Sequence, residues 1–341
     1  MSLAPHPCQC TAIVGHDAAK KQLEEAYDSG RMHHAWLLTG AEGIGKTSLA
    51  YHAAHMLLSG GTNRFAKFNP NDSAARLITA QSHPDLFVLD RPPDEKTGVL
   101  RDLIPVEEAR KLAPFLHMTA SYGHGRVAII DEVHTLNRNG QNAILKVIEE
   151  PPSGAILFLT ATTLGALVPT IRSRCRVLAL EPLSPAQLDV ILMRLNVDLP
   201  LGPDKARLLD LAGGSVSAAL GLLQTEALPL FAELLDILER LPALDRVRIH
   251  KLADKIGKKA DSESFLAVTG LLTEQLRRTV RAAALGTTDE TGLAAKLAPN
   301  GRLDKALELW EKTRQTFASA DGAKLDRKLV FINALCAFGK L

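Results

Sequence analysis

Gly40-Ala41-Glu42-Gly43-Ile44-Gly45-Lys46-Thr47 has the residue types and the spacing to hold a phosphate. The stretch fits G-x-x-x-x-G-K-[ST], whose glycines let successive backbone amides turn inward around anionic oxygens. Lys46 suits the β- and γ-phosphates, and the Thr47 hydroxyl suits Mg²⁺. Asp131-Glu132 is the second chemical candidate. Asp131 fits the Mg²⁺ shell, and Glu132 fits orientation or deprotonation of an attacking water. Alone, such an acidic pair is an ordinary solvated strand end. Together with the glycine loop it reads as the other half of a nucleotide site.

Both candidates need particular elements to position them. Ala35–Thr39 is a short apolar run that reads as a buried strand running into the glycine loop, and Thr47–Leu58 reads as the helix leaving it. A helix starting there would add the positive end of its dipole to the loop amides. Asp85–Leu89, Arg126–Asp131, Ala155–Thr160 and Arg176–Leu180 read as further strands, with Arg126–Asp131 expected at the centre because its apolar residues are consecutive. Strands alternating with helices, such as Gly140–Ile148, predict an α/β domain with a parallel sheet covered on both faces. In such sheets ligands bind beyond the carboxyl ends of the strands, where Asp131 falls. The segment Gly60–Pro84 reads as an irregular excursion. After Glu181-Pro182 no strand pattern recurs. Ser184-Pro185 reads as a helix start, short helices follow to about Gln224, and Pro229 opens a further helical set. Leu303, Ala306, Leu307, Trp310 and Phe317 recur at helical spacing near the C-terminus.

The chain has 341 residues, 46% hydrophobic and 23% charged, which predicts a folded protein of more than one domain. Its formal net charge of +2 argues against coating nucleic acid by charge alone. The basic clusters Arg277-Arg278 with Arg281, and Lys255 with Lys258-Lys259, read as solvated helix faces. No stretch approaches the roughly 20 apolar residues needed to cross a bilayer. The N-terminus lacks a basic start and an apolar core, so a cytoplasmic location is expected. Cys8, Cys10, Cys175 and Cys336 make no zinc-binding quartet, and no zinc is expected. His33, His34, His52, His55 and His83 read as surface residues, and Cys175 as a small core residue.

The segment Val127–Cys175 goes beyond a generic nucleotide fold. Asp131-Glu132-Val133-His134, Asn142-Ala143-Ile144-Leu145-Lys146, Glu149-Glu150-Pro151-Pro152 and Thr170-Ile171-Arg172-Ser173-Arg174-Cys175 follow in that order. Upstream stand Val14-Gly15-His16, His34–Gly40 and His83-Pro84-Asp85. This series resembles the bacterial clamp-loader subunits of DNA polymerase III, which are AAA+ ATPases, over about the first half of the chain.

The resemblance implies a P-loop AAA+ core over residues 1–181, a helical lid over 182–227 and an all-α collar over 228–341. It implies ATP or ADP with Mg²⁺, held by Gly40, Gly43, Gly45, Lys46, Thr47 and Asp131, with Val14 and Gly15 beside the nucleotide. Glu132 would serve the water. Arg174 would act in trans as an arginine finger in a neighbouring subunit's site. The polar residue that monitors the γ-phosphate would be Thr160 or Thr162, with Thr162 preferred. Partners would be gamma/tau and delta subunits in a hetero-pentamer, and through it the sliding clamp and primer-template DNA. Motor members of the family carry an arginine in the second-sensor helix, where this chain has Val216-Ser217-Ala218. That departure resembles the delta-prime branch and implies weak hydrolysis at its own site. The intact glycine loop keeps nucleotide binding in the expectation. Rival readings are an active gamma/tau-like motor, a different AAA+ machine acting on DNA, and a scaffold that binds no nucleotide.

Overall fold

The computed structural model describes residues 5–94, 98, 100–225, 227–257, 262–287, 293–297, 303–322 and 325–339. By its internal contacts the chain packs as two compact units. One comprises Met1–Gly202 with Ala212–Ala218, the other Pro203–Leu211 with Ala219–Leu341.

In the first unit five parallel strands form one sheet: β1 (Ala35–Thr39), β2 (Leu86–Leu89), β3 (Arg126–Ile130), β4 (Ala155–Ala161) and β5 (Arg176–Ala179). Their order is β2-β3-β4-β1-β5. The strand β3 lies inside the sheet between β2 and β4, as the apolar run of Arg126–Asp131 suggested, and β4 is the middle one of the five. An unbroken apolar run marks burial on both faces, which β1, β3 and β4 all share.

Helices cover the sheet on both sides. These are α1 (Asp17–Asp28), α2 (Lys46–Leu58), α3 (Ser73–Thr79), α4 (Val106–Arg110), α5 (Leu112–His117), α6 (Arg138–Glu149), α7 (Pro169–Arg174) and α8 (Pro185–Arg194). Alternate residues of β1 divide between the two cores. Trp36 and Leu38 join Leu23, Leu49 and Phe158, whereas Ala35 and Leu37 join Ile130, Ile144 and Leu157. The helix α2 is buried almost all round from Leu49 to Leu58, as expected of a helix packed into the core rather than on it.

The excursion at Gly60–Pro84 contains α3, started by Asp72, whose side chain accepts the Ala74 and Ala75 amides. Phe65 and Phe68 from this excursion pack against His52 and His55. His52, His55 and His83 are thus buried rather than on the surface as their sequence pattern suggested. The motif His83-Pro84-Asp85 also works from inside. Asp85 accepts the Ser121 and Tyr122 amides at 2.8 and 3.0 Å and faces the buried Arg126 guanidinium at 3.5 Å. Arg126 in turn donates to the carbonyls of Pro84, Met118 and Thr119. This buried pair ties β3 to the 118–122 loop.

The second unit is helical among the described residues. It holds α9 (Pro203–Leu211), α11 (Ala227–Leu238), α12 (Arg246–Ile256), α13 (Ser262–Leu285), α14 (Leu293–Leu297), α15 (Leu303–Gly322) and α16 (Arg327–Phe338), while α10 (Val216–Gln224) contributes to both units. Phe231, Leu252, Phe265, Leu272, Phe331 and Leu335 are buried in it. The helix α11 begins two residues before Pro229, which sits in its first turn, where proline is tolerated. In α15 the buried positions include Ala306, Leu309 and Phe317, while Leu307 faces solvent. The pair Arg277-Arg278 is neutralised in place: both bind Glu274, and Arg278 also binds Asp210 at 2.6 Å. Lys255 pairs with Glu233, and Lys258-Lys259 lie outside the described residues. Among the described residues no single helix is long and apolar enough to cross a membrane.

Candidate functional site

The loop after β1 turns on glycine. Gly40, Gly43 and Gly45 have φ of 147°, 71° and 100°, values that favour glycine over residues with a side chain. Gly45 is the residue before α2 and no side chain caps that helix, so its first amides are free to point at an anion. Space is also limiting. A Cβ at Gly43 would lie 1.9 Å from the Ser217 hydroxyl, and one at Gly40 would meet the Leu180 carbonyl at 2.5 Å.

Lys46 is 6% exposed, and its Nζ donates to the Gly40 and Ala41 carbonyls at 3.0 and 2.7 Å. Burial pulls its pKa down, against the attraction of Asp131, Glu132 and Glu42. A buried ammonium with only neutral carbonyls as direct partners has unused capacity for a negative group. Thr47 donates to Asp131 Oδ1 at 2.6 Å, bringing the two expected Mg²⁺ residues together. Thr160 donates to the same oxygen at 2.6 Å and accepts the Glu132 amide at 2.8 Å. The topology explains this hub. The strand β4 lies between β3, which ends at Asp131, and β1, which leads to Thr47, so a polar residue near the end of β4 reaches both.

Thr160 is thus committed to orienting Asp131 and is fully buried. Thr162 lies beyond the end of β4 and is half-buried. Glu132 holds an unusual backbone for a non-glycine residue, φ 47° and ψ 53°. Its carboxylate pairs with Arg91 at 2.7 Å. Asp90, next to Arg91, follows β2 as Asp131 follows β3. Its carboxyl is raised by burial and by the Asp131 charge.

A cavity of about 440 Å³ opens in front of these groups. Gly43, Gly45, Lys46, Thr47, Asp131, Glu132 and Val14 line it together, as the sequence pattern anticipated. Gly40 acts through its carbonyl to Lys46. Gly15 serves packing: at φ 77°, a Cβ there would meet Leu183 at 2.9 Å and Gln187 at 3.2 Å. Arg174 and Thr162 do not line the cavity. Arg174 ends α7, about 40% exposed, and pairs with Glu149 at 3.1 Å. Cys175 beside it packs against the core, and burial pushes its thiol up to about 12.

Several lining groups escaped the sequence reading. The strap from Pro5 to Ile13 forms one wall. It is held by His52 Nε2 donating to the Cys10 carbonyl at 2.8 Å, and by the Thr79 hydroxyl donating to the Cys8 carbonyl at 3.4 Å. His16, which also lines the cavity, donates from Nε2 to the Ile44 carbonyl at 2.8 Å and so fixes the loop. Ile191, Arg194 and Leu195 at the end of α8 and Val216 and Ser217 also line the cavity. The Val216 amide donates to the Gly43 carbonyl at 2.9 Å. Arg91 had a positional signal, being close after a strand that neighbours β3. Arg194 had none.

The donor set fits a magnesium nucleotide. Free helix amides, glycine turns and a buried lysine face the phosphate position, and a threonine–aspartate pair stands where a hard cation takes oxygen ligands.

Residues 15–184 match the family model described as DNA polymerase III, delta subunit. The chain is 38% identical over 142 residues to DNA polymerase III subunit delta' of Pseudomonas aeruginosa, covering 42% of this chain and 41% of that protein. It is 29% identical over 273 residues to DNA polymerase III subunit gamma of Buchnera aphidicola subsp. Acyrthosiphon pisum, covering 79% and 69%. It is 29% identical over 279 residues to DNA polymerase III subunit delta' of Escherichia coli K12, covering 82% and 80%. The chain thus spans less than half the length of the first of these relatives.

Proposed function

The chain belongs to the AAA+ clamp-loader subunits of DNA polymerase III, and on that premise we propose that it serves as the delta-prime-like stator of the loader. In this reading residues 1–181 are the nucleotide-binding core, 182–227 the lid and 228–341 the collar that joins gamma/tau and delta subunits in a hetero-pentamer. The assembly places the sliding clamp on primed DNA.

MgATP bound at the loop would supply the phosphoryl group and a cation that neutralises its charge. The residues of the chain do the rest. The amides of Gly43 to Thr47 and Lys46 cradle the phosphates, Thr47 and Asp131 hold the cation, and Glu132 orients water once it leaves Arg91. Arg174 completes the adjacent subunit's site. Its guanidinium is permanently charged and its planar fork matches phosphate oxygens. Its present tie to Glu149 is a half-exposed surface pair worth no more than about 1 kcal/mol, a small obstacle to changing partners.

One observation carries the choice of stator over motor. The second-sensor helix offers the cavity only Val216 and Ser217, neither of which can neutralise a phosphate charge. The test is reconstitution with gamma/tau and delta subunits. Arg174→Ala should lower the ATPase of the assembly and its clamp loading, and unchanged values would refute the role in trans. The motor reading has the intact Lys46, Asp131 and Glu132 in its favour. Rapid DNA-stimulated ATP turnover by the isolated chain, abolished by Lys46→Ala, would replace the stator reading.

A further inference from the structure

A second cavity, of about 260 Å³, lies at the β2 edge of the sheet, between β2, α2 and the end of α3. It shares no lining residue with the nucleotide cavity. Its floor is apolar. Leu86 and Val88, alternate residues of β2, face α2, and Ile78 of α3 joins them. Asp90, two residues past Val88, continues that face and stands at the mouth, open to solvent on one side. Deeper in are Tyr51 of α2, 2% exposed, and His83, 5% exposed.

The polar groups on this cavity lack protein partners. The Tyr51 hydroxyl makes no hydrogen bond among the described residues. His83 Nδ1 accepts the Asp85 amide at 3.1 Å, so the neutral ring carries its hydrogen on Nε2, which has no acceptor among the described residues. Asp90 has no ion pair among the described residues, and burial and the Asp131 charge raise its carboxyl. Buried polar groups are costly to leave unmet. The cavity is also held in shape. Gln81 sits just past α3 at φ 54°, a position that favours glycine, and its Nε2 meets the His6 ring nitrogens at 3.2 and 3.3 Å. His6 meets Tyr51 edge to face, with ring centroids 5.9 Å apart. These contacts brace Gln81 and Tyr51 without using the Tyr51 hydroxyl.

We propose that this cavity is a binding site for a short aliphatic amine that carries a hydroxyl or carbonyl oxygen at its other end. The ammonium pairs with Asp90, the methylenes lie on Ile78, Leu86 and Val88, and the oxygen takes the His83 N–H and bonds the Tyr51 hydroxyl. The volume suits such a molecule. At roughly 30 Å³ per water-sized group, 260 Å³ holds about eight heavy atoms, enough for four carbons and two polar ends. A bare metal ion would leave most of this space unfilled, and no group of three or more His, Cys, Asp or Glu side chains among the described residues could hold one. An anion is repelled by Asp90. The site does not depend on nucleotide binding.

The experiment is calorimetric titration of the full chain with 4-aminobutan-1-ol at fixed ionic strength, comparing wild type, Asp90→Asn and Tyr51→Phe. Wild type should bind one equivalent. Asp90→Asn should weaken binding about tenfold or more, through loss of the charged pair, and Tyr51→Phe about threefold to tenfold. Butane-1,4-diol, which lacks the charge, should bind wild type no more tightly than the amino alcohol binds Asp90→Asn. Butylamine, which lacks the oxygen, should lose no affinity on going from wild type to Tyr51→Phe. Without ligand both variants should melt no lower than wild type, since neither replaced group has a protein partner. A lower melting temperature for Tyr51→Phe would show the hydroxyl already engaged and overturn the proposal. Equal affinity of the amino alcohol for wild type and Asp90→Asn would also overturn it. So would the lack of saturable binding to wild type, which would leave the cavity to water alone.

Discussion

Thr160→Val removes one buried hydroxyl while nearly preserving shape, and the geometry sets what that costs. The hydroxyl donates to Asp131 Oδ1 at 2.6 Å and accepts the Glu132 amide at 2.8 Å, with Thr160 fully buried. A hydrogen bond to a charged acceptor is worth about 1.5–3 kcal/mol. The orphaned amide adds about 1 kcal/mol, the lower end of the usual range, because Glu132 is only half-buried and water can reach it. The expected destabilisation is therefore about 2.5–4 kcal/mol. Trp36 in β1 is fully buried in the same unit, so its fluorescence in a Trp310→Phe background follows unfolding of the sheet alone. In urea the midpoint should fall markedly for Thr160→Val. It should stay within about 0.5 kcal/mol of wild type for Thr162→Val, which alters a half-buried residue beyond the strand. Mg²⁺-dependent nucleotide binding should weaken with Thr160→Val, because Asp131 loses one of the two donors that fix its carboxylate. If Thr160→Val were as stable as wild type, the account of β4 as the strand that locks Asp131 in place would be wrong.

Asp85→Ala should cost about 3–5 kcal/mol in the same assay, because it strands the buried Arg126 guanidinium and two loop amides. The double variant Asp85→Leu/Arg126→Met should recover much of that loss. His55 is buried without a hydrogen-bond partner on either ring nitrogen, and burial lowers its pKa from 6.5 to about 3. The unfolded chain then binds the proton more readily, so the stability this group contributes is intact above pH 6.5 and drains away as pH falls toward 3. The loss by pH 5 is about 2 kcal/mol, and His55→Leu should flatten that part of the unfolding profile. Arg91→Ala should change stability by less than about 1 kcal/mol, the Arg91–Glu132 pair being partly exposed. It should nevertheless raise slow ATP turnover, measured by phosphate release, by freeing Glu132 from its partner.

The sequence by itself determined the strands, the glycine loop, and the positions of Lys46 and Thr47 at the start of α2 and of Asp131 at the end of β3. Those features are local: a short apolar run, glycines at positive φ and a helix start are all set within a few residues of one another. It also gave the order of motifs from Asp131 to Cys175 on which the family resemblance rests. What it left open depends on residues far apart in the chain. The place of β4 between β3 and β1, and with it the commitment of Thr160 to Asp131, follows from strand order, which periodicity does not encode. Burial of His52 and His55 depends on Phe65 and Phe68 folding back over α2. Leu307 and Leu309 are equally apolar in sequence, and only the packing of α15 turns one outward and the other inward. Arg91 and Arg194 look like ordinary surface arginines in the linear chain. The close of the sheet on one side and of α8 on the other brings them to the site, because a charged side chain carries no sign of its partner until the tertiary structure supplies one.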